Sequence, residues 1–319
     1  MTLTGRCITK HMAAKVNDIV SGKYDHVGES IIYGDTDSVY FSAYKVLQKE
    51  IDSGQIQWNK DSVLTLYDRI ADEVNGSFKS FMTKAFHCPV TRGDVIAAGR
   101  ELVASKGLFI TKKRYAALYF DKEGERVDTA GKEGKVKAMG LDLKRSDTPV
   151  FVQDFLSEIL YMVLTGKNEK EVLERISEFR GEFKARPGWE KGSPKRANNM
   201  TKYTEEEAKK GRANMPGHVR ASMNWNKCRE MYGDKYSMPI TDGAKVIVCK
   251  LKSNPLNYTS IAYPVDEMRI PEWFKDLPFD TDAMESTILD QKLDNLIGVL
   301  GWDIKSTETT NTFNKLFEF

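Results

Sequence analysis

The chain has 319 residues, enough for about two domains, and its 40% hydrophobic and 10% aromatic content permits a packed core and excludes global disorder. No apolar run approaches the roughly 20 residues of a bilayer span, and residues 1–10 lack the apolar stretch of a secretory signal, so the sequence reads as cytosolic. The net charge of +2 hides an asymmetry: residues 180–230 hold 13 Lys or Arg against 6 Asp or Glu, whereas 264–319 hold 5 against 12, which makes the first block the candidate for a polyanion and argues against DNA contact at the end.

Ile8, Met12, Val16, Ile19 and Val20 recur at helical spacing, predicting a helix over residues 2–20 that Ser21-Gly22 ends. Ile31, Ile32 and Tyr33, then Val39, Tyr40 and Phe41, flank Gly34-Asp35-Thr36-Asp37-Ser38, the pattern of a β-hairpin with two acids at its tip. After a loop at 52–61, Leu64, Leu66, Tyr67, Ile70, Val74, Phe78 and Phe81 predict a second helix. Residues 94–121 read as antiparallel strands, strongest at Leu108–Ile110 and Tyr115–Phe120, with a charged turn at 122–134. The character changes after residue 136. Thr148 is placed as a cap before Pro149, with a helix over 151–164 that Gly166 stops. Asn168 and Glu171 form a capping pair for a helix through Phe183. Residues 184–217 are polar, basic and rich in Gly and Pro, Lys245–Leu251 reads as a strand, Asp282 with Glu285 caps a final helix to Val299, and Thr307–Asn314 reads as a flexible tail. There are no internal repeats. Four cysteines (Cys7, Cys88, Cys228, Cys249) and four histidines (His11, His26, His87, His218) are scattered without zinc-ligand spacing.

Asp35 and Asp37 carry the chemistry. Like charges a few Å apart repel and raise each other's pKa, and a divalent cation removes that conflict. Mg²⁺ takes one or two carboxylates with waters and substrate phosphates, so the pair points to metal-assisted phosphoryl or nucleotidyl transfer. An EF-hand loop is excluded, because its sixth and twelfth positions would be Tyr40 and Val46 instead of Gly and Glu. A plain hairpin whose Asp residues serve the turn is the competing reading. Lys112-Lys113-Arg114-Tyr115 puts three cations and an aromatic at a strand entrance, which is either a charged edge that discourages pairing or a nucleic-acid contact.

Tyr33-Gly34-Asp35-Thr36-Asp37-Ser38 between apolar strands resembles motif C of family B DNA polymerases, and Lys112-Lys113-Arg114-Tyr115 resembles the KKRY element of the same family. Lys137-Ala138-Met139-Gly140 with Lys144-Arg145-Ser146-Asp147-Thr148-Pro149 resembles its palm-to-thumb junction, and His218-Val219-Arg220-Ala221 a further thumb segment or a structural loop. The terminal Phe313-Asn314-Lys315-Leu316-Phe317-Glu318-Phe319 is similar to the clamp-docking peptide of T4-type bacteriophage members. The resemblance implies an α+β fold: the C-terminal part of a palm with an antiparallel sheet and flanking helices over 1–136, a mainly helical thumb over 137–306, and a tail at 307–319.

The implied function is DNA-directed DNA polymerisation on primer-template DNA and dNTP, with two Mg²⁺ ions shared with a partner chain. Asp37 is the expected direct metal ligand, Asp35 a weaker one, and Glu101 either an accessory acid or a surface residue. Lys112, Lys113, Arg114, Tyr115, Lys137, Lys144, Arg145, His218 and Arg220 are the implied DNA contacts. Phe313, Leu316, Phe317 and Phe319 are the implied sliding-clamp contacts. The sequence has no room for motif A, the fingers helix or an exonuclease, so the expectation is a split enzyme completed by an N-terminal chain, acting in the host cytoplasm if phage-encoded. A non-catalytic relic that grips DNA or clamp is the alternative, and a reverse transcriptase, with its adjacent Asp pair, is disfavoured.

Overall fold

The computed structural model describes residues 3–93, 95–129, 131–141, 143, 145–203 and 215–307. It is an α+β chain with antiparallel sheets, and it divides into two compact units. The first comprises residues up to Gly107 with Ala117–Lys137; the second comprises Leu108–Ala116 with residues from Ala138 on.

The first unit opens with α1 (Leu3–Ser21), followed by the hairpin strands β1 (Ile31–Gly34) and β2 (Val39–Phe41). A short α2 (Gln48–Asp52) precedes α3 (Lys60–Phe86). The apolar periodicity of α1 and α3 buries Val16, Ile70, Val74 and Phe78 in one cluster, onto which Ile31 and Phe41 of the hairpin pack. Helix α3 starts earlier than its first apolar residue suggests, because Asn59 and Ser62 form a reciprocal capping box. The base of the hairpin is pinned by buried Asn17 of α1, whose side-chain oxygen accepts from the Ser30 amide (3.2 Å) and hydroxyl (2.8 Å). Gly28 makes room for that contact, since a Cβ there would collide with the Asn17 amide.

His11 is the buried polar node of this unit. Its Nδ1 lies 2.6 Å from the Tyr24 hydroxyl and its Nε2 2.9 Å from the Ser77 hydroxyl, while its ring stacks on Phe81 at 3.9 Å. The Ser77 proton is spent on the Val74 carbonyl, so the neutral Nε2–H tautomer donates to Ser77 and accepts from Tyr24. Burial, helped by the Lys15 charge, lowers the His11 pKa below its usual 6.5. A depressed folded-state value means the unfolded chain binds the extra proton, so this contribution is present above about pH 6.5 and is lost as pH falls below it. Urea midpoints should therefore drop between about pH 7.5 and about pH 5.5, and His11→Gln should flatten that drop.

Strands β3 (Leu102–Thr111) and β4 (Arg114–Lys122) form a hairpin turned by Lys112 and Lys113 alone, and β4 also pairs with β5 (Glu125–Arg126) and β6 (Lys135–Met139). The tip of that hairpin groups with the second unit.

The second unit continues with α4 (Val150–Thr165) and α5 (Glu169–Ala185), joined by Gly166 at φ +89°. Asn168 and Glu171 form the capping box the sequence predicts. Thr148 does not cap α4: Pro149 is the N-cap residue and makes no side-chain capping bond. Phe155 and Phe179 stack at 3.7 Å between the two helices. A three-stranded antiparallel sheet follows, β7 (Ser193–Ala197), β8 (Ala244–Lys250) and β9 (Ser260–Pro264), in the order β7-β8-β9. Helix α6 (Gly217–Met231) packs on it with Trp225 fully buried, which places His218-Val219-Arg220 on a helix and removes the loop reading.

Helices α7 (Glu272–Lys275) and α8 (Thr281–Glu285) lead through a π-turn at Ser286–Asp290 into α9 (Gln291–Ile297). Asp280, not Asp282, supplies the cap, accepting from the Ala283 amide. Thr307, read from the sequence as the first residue of a tail, is buried, and its hydroxyl accepts from Arg180, whose guanidinium also pairs with Glu285 and Asp290. No helix among the described residues is long and apolar enough to cross a membrane.

Candidate metal hairpin and cationic surfaces

The four residues between β1 and β2 form a tight loop closed by the Asp35 amide on the Ser38 carbonyl at 3.0 Å. Its register pairs Tyr33 with Tyr40 and Gly34 with Val39, so the strands end just below the acids. Thr9 of α1 reaches the loop and donates to the Thr36 carbonyl at 3.2 Å. The two carboxylates are not equivalent. Asp35 is half-buried and works within the turn, accepting from the Thr36 amide (2.9 Å), the Thr36 hydroxyl (3.3 Å) and the Tyr33 hydroxyl (3.3 Å). Asp37 stands exposed at the tip. This donor set suits Mg²⁺: two hard oxygen ligands, one already oriented and one open to water and phosphate. Among the described residues no three His, Cys, Asp or Glu side chains gather as a metal site. Glu101 does not join the hairpin acids; its carboxylate pairs with Lys137 at 2.5 Å in the same unit.

In the second unit the KKRY residues divide by function. Lys112 and Lys113 are exposed, and Arg114 is half-buried with its guanidinium donating to the Asn295 carbonyl at 3.1 Å. Tyr115 is buried and stacks on Phe109 at 5.4 Å, so it anchors the turn. Lys113 adopts φ +63°, a left-handed conformation that non-glycine residues enter at a cost. The next motif supports that strained turn. Gly140, at φ +64°, lies so close to the Lys113 carbonyl that a Cβ there would overlap its oxygen. Two segments that the sequence marks separately are thus in backbone contact.

Arg145 and His218 meet at one cavity of the second unit, with Lys195, Lys250 and Lys292. Asp147 organises it. Arg145 binds both Asp147 oxygens at 3.1 Å, Lys195 binds one at 3.2 Å, and Lys292 lies 4.0 Å away. Burial alone would raise the Asp147 pKa, but the Arg145 and Lys195 hydrogen bonds outweigh it and bring it down to about 2. His218 is held neutral more strongly than usual by burial and by the Lys195 charge. Arg220, half-buried on α6, is not among the residues lining the cavity. Lys144 and the terminal Phe313, Leu316, Phe317 and Phe319 lie outside the described residues.

Lys195, Lys250 and Lys292 are not among the contacts expected from sequence, whereas Asp147 lies within the junction motif. Lys195 sits in the basic block that charge counting marks, but Lys292 is masked by its acidic neighbours in sequence.

The DNA-directed DNA polymerase of Escherichia phage RB69 is 29% identical over 280 residues, which is 83% of this chain and 29% of the phage protein. That of Enterobacteria phage T4 is 27% identical over 286 residues, again 83% of this chain and 29% of the relative. The DNA polymerase of Paramecium bursaria Chlorella virus NY2A is 27% identical over 168 residues, 53% of this chain and 15% of the viral one. The chain therefore spans less than a third of the length of its two phage relatives. A sequence profile of DNA polymerase family B matches residues 1–206, well over half of the sequence and inclusive of both motifs, and the chain belongs to that family.

Proposed function

We propose that this chain carries the C-terminal part of the palm and the thumb of a replicative DNA-directed DNA polymerase. Its substrates on this reading are primer-template DNA and dNTP. The observation that carries the reading is the exposed Asp37 carboxylate beside a turn-bound Asp35, on an antiparallel hairpin within the family B match. Asp37 and Asp35 are the residues that would hold Mg²⁺. When bound, the ions activate the primer 3′-hydroxyl and neutralise charge on the phosphate being transferred.

The remaining residues handle DNA. Lys112, Lys113 and Arg114 lie against the primer end, where minor-groove acceptors common to all correct pairs let a contact test geometry without reading sequence. Lys137, Lys144, Arg145, His218 and Arg220 hold the backbone, which positions the duplex without specifying it. The terminal aromatics Phe313, Leu316, Phe317 and Phe319 recruit a sliding clamp. Glu101 is bound to Lys137 in this chain and serves the metals only if that pair opens.

Two carboxylates do not complete a two-metal site. On this reading extension depends on a further acid, which the described residues do not bring to the hairpin, and on nucleotide-binding elements supplied by a complementary polypeptide. Primer extension tests this directly. The chain by itself should bind duplex DNA with steep salt dependence and extend nothing, and extension should appear when the complementary polymerase polypeptide is added. Extension by this chain alone overturns the shared-site reading.

A further inference from the structure

The hairpin that carries Asp35 and Asp37 is fastened to α1 at both of its ends. At the base, buried Asn17 holds the Ser30 amide and hydroxyl. At the tip, the Thr9 hydroxyl reaches the Thr36 carbonyl at 3.2 Å. Thr9 and Asn17 lie eight positions apart on the helix, which is about 12 Å along its axis. Ile8, Met12 and Val16 of α1 pack with Ile31 and Phe41 of the two strands, so the strands are seated by apolar contact. The loop beyond them is exposed at Thr36 and Asp37, and the Thr9 hydroxyl ties it to the helix.

The identity of the acceptor decides what this tie does. The Thr36 carbonyl belongs to the peptide unit whose nitrogen is that of Asp37. A peptide unit is planar, so a donor that fixes the direction of the Thr36 carbonyl also fixes the Asp37 nitrogen, and through it the point from which the Asp37 side chain leaves the backbone. The Asp35 amide on the Ser38 carbonyl, and the Thr36 amide on the Asp35 carboxylate, hold the neighbouring peptide units instead. A threonine inside a helix ordinarily spends its hydroxyl on the carbonyl four residues back. Thr9 makes that bond too, to Gly5 at 3.0 Å, so its one proton is shared between an acceptor in the helix and one in the hairpin. The Gly5 carbonyl orients the hydroxyl whether or not the loop is in place, and the donor is therefore preorganised.

We propose that Thr9 is a positioning residue for the Asp37 carboxylate: its hydroxyl, carried on α1, sets the Thr36–Asp37 peptide plane and with it the direction in which Asp37 meets a divalent cation. The role rests on the reading of Asp37 as a metal ligand, whereas the tie itself does not.

Two variants of the full chain test it. Thr9→Val keeps the shape of the side chain and removes the donor, and Thr9→Ser keeps the donor. Deuterium uptake by the segment 33–40 should be several-fold faster in Thr9→Val and parental in Thr9→Ser, a readout that needs neither metal nor a second polypeptide. In the assembly that extends primers, single-turnover extension by Thr9→Val should fall about fivefold, the worth of one modest hydrogen bond, while Thr9→Ser stays within about twofold of the parent. Half-saturation by Mg²⁺ should move to higher concentration in Thr9→Val alone, with melting temperatures unchanged in both. Faster exchange with slower extension, both restored by serine, supports the assignment. Unchanged exchange in Thr9→Val overturns the tie. Faster exchange with parental extension, in an assembly that Asp37→Asn impairs, overturns the positioning role and leaves the metal reading standing. A loss that serine does not restore belongs to side-chain shape and overturns the role as well. Parental extension by Asp37→Asn overturns the metal reading and the role with it, while the exchange difference still reports the tie, so the two failures are distinguishable.

Discussion

Gly140→Ala should destabilise the second unit by about 3 kcal/mol, a fall in melting temperature on the order of 6–12 °C, and should weaken duplex binding at the same time. Two independent penalties meet at this position. The backbone sits at φ +64°, where an L side chain is strained, and the added methyl would overlap the Lys113 carbonyl oxygen, a backbone atom that cannot rotate away. The Lys112–Lys113 turn is already strained by the φ of +63° at Lys113, so relief by shifting that turn means losing its geometry. Differential scanning calorimetry and anisotropy with labelled duplex read the two effects. Gly22→Ala is the control for conformational strain alone: Gly22 has φ +73° but open space around it, so its cost should stay near 1 kcal/mol. Lys113→Gly separates support from contact, because it should relax the turn without loss of melting temperature while still reducing duplex affinity. Unchanged melting of Gly140→Ala would show that the turn does not depend on this approach.

How far the sequence discloses the molecule follows from the range of the forces involved. The acidic hairpin is legible because strand propensity, turn residues and the carboxylates occupy nine consecutive positions. The α5 cap is legible for the same reason, with Asn168 and Glu171 three residues apart. Where two polar residues compete to end a helix the choice is tertiary. Asp280 outranks Asp282 because the chain enters α8 from the Leu251–Phe279 bridge, which fixes the residue that faces the free amides. Tyr115 reads as one of a cationic quartet, but adjacent strand residues face opposite sides, and it turns inward onto Phe109 while Lys112 and Lys113 stay in solvent. The cationic cavity of the second unit is least legible. Its lysines come from β7, β8 and α9, segments far apart in the chain that no window of sequence joins.

Asp37→Asn should reduce single-turnover primer extension by about a thousandfold when assayed in the assembly that extends primers, whereas Asp35→Asn should cost far less. The difference follows from what each carboxylate already does. Asp35 is engaged by the Thr36 amide and hydroxyl and the Tyr33 hydroxyl, and an asparagine oxygen can keep accepting the amide, so the turn survives with one weakened ligand. Asp37 is exposed at the tip, and its full negative charge is available to a cation. Replacing it by a neutral amide of the same shape would remove that charge from the proposed metal site, where a bound ion would supply several kcal/mol of transition-state stabilisation, and each 1.36 kcal/mol is tenfold in rate. Because Asp37 supports no other described residue, melting temperature and duplex affinity should stay at parental values, which separates a chemical defect from a folding one. Extra Mg²⁺ should partly restore Asp35→Asn, a weakened ligand, and leave Asp37→Asn impaired. Extension by Asp37→Asn within a few-fold of the parent would mean the hairpin holds no catalytic ion, and the chain would then be a DNA-gripping relative of family B polymerases rather than part of their reaction centre.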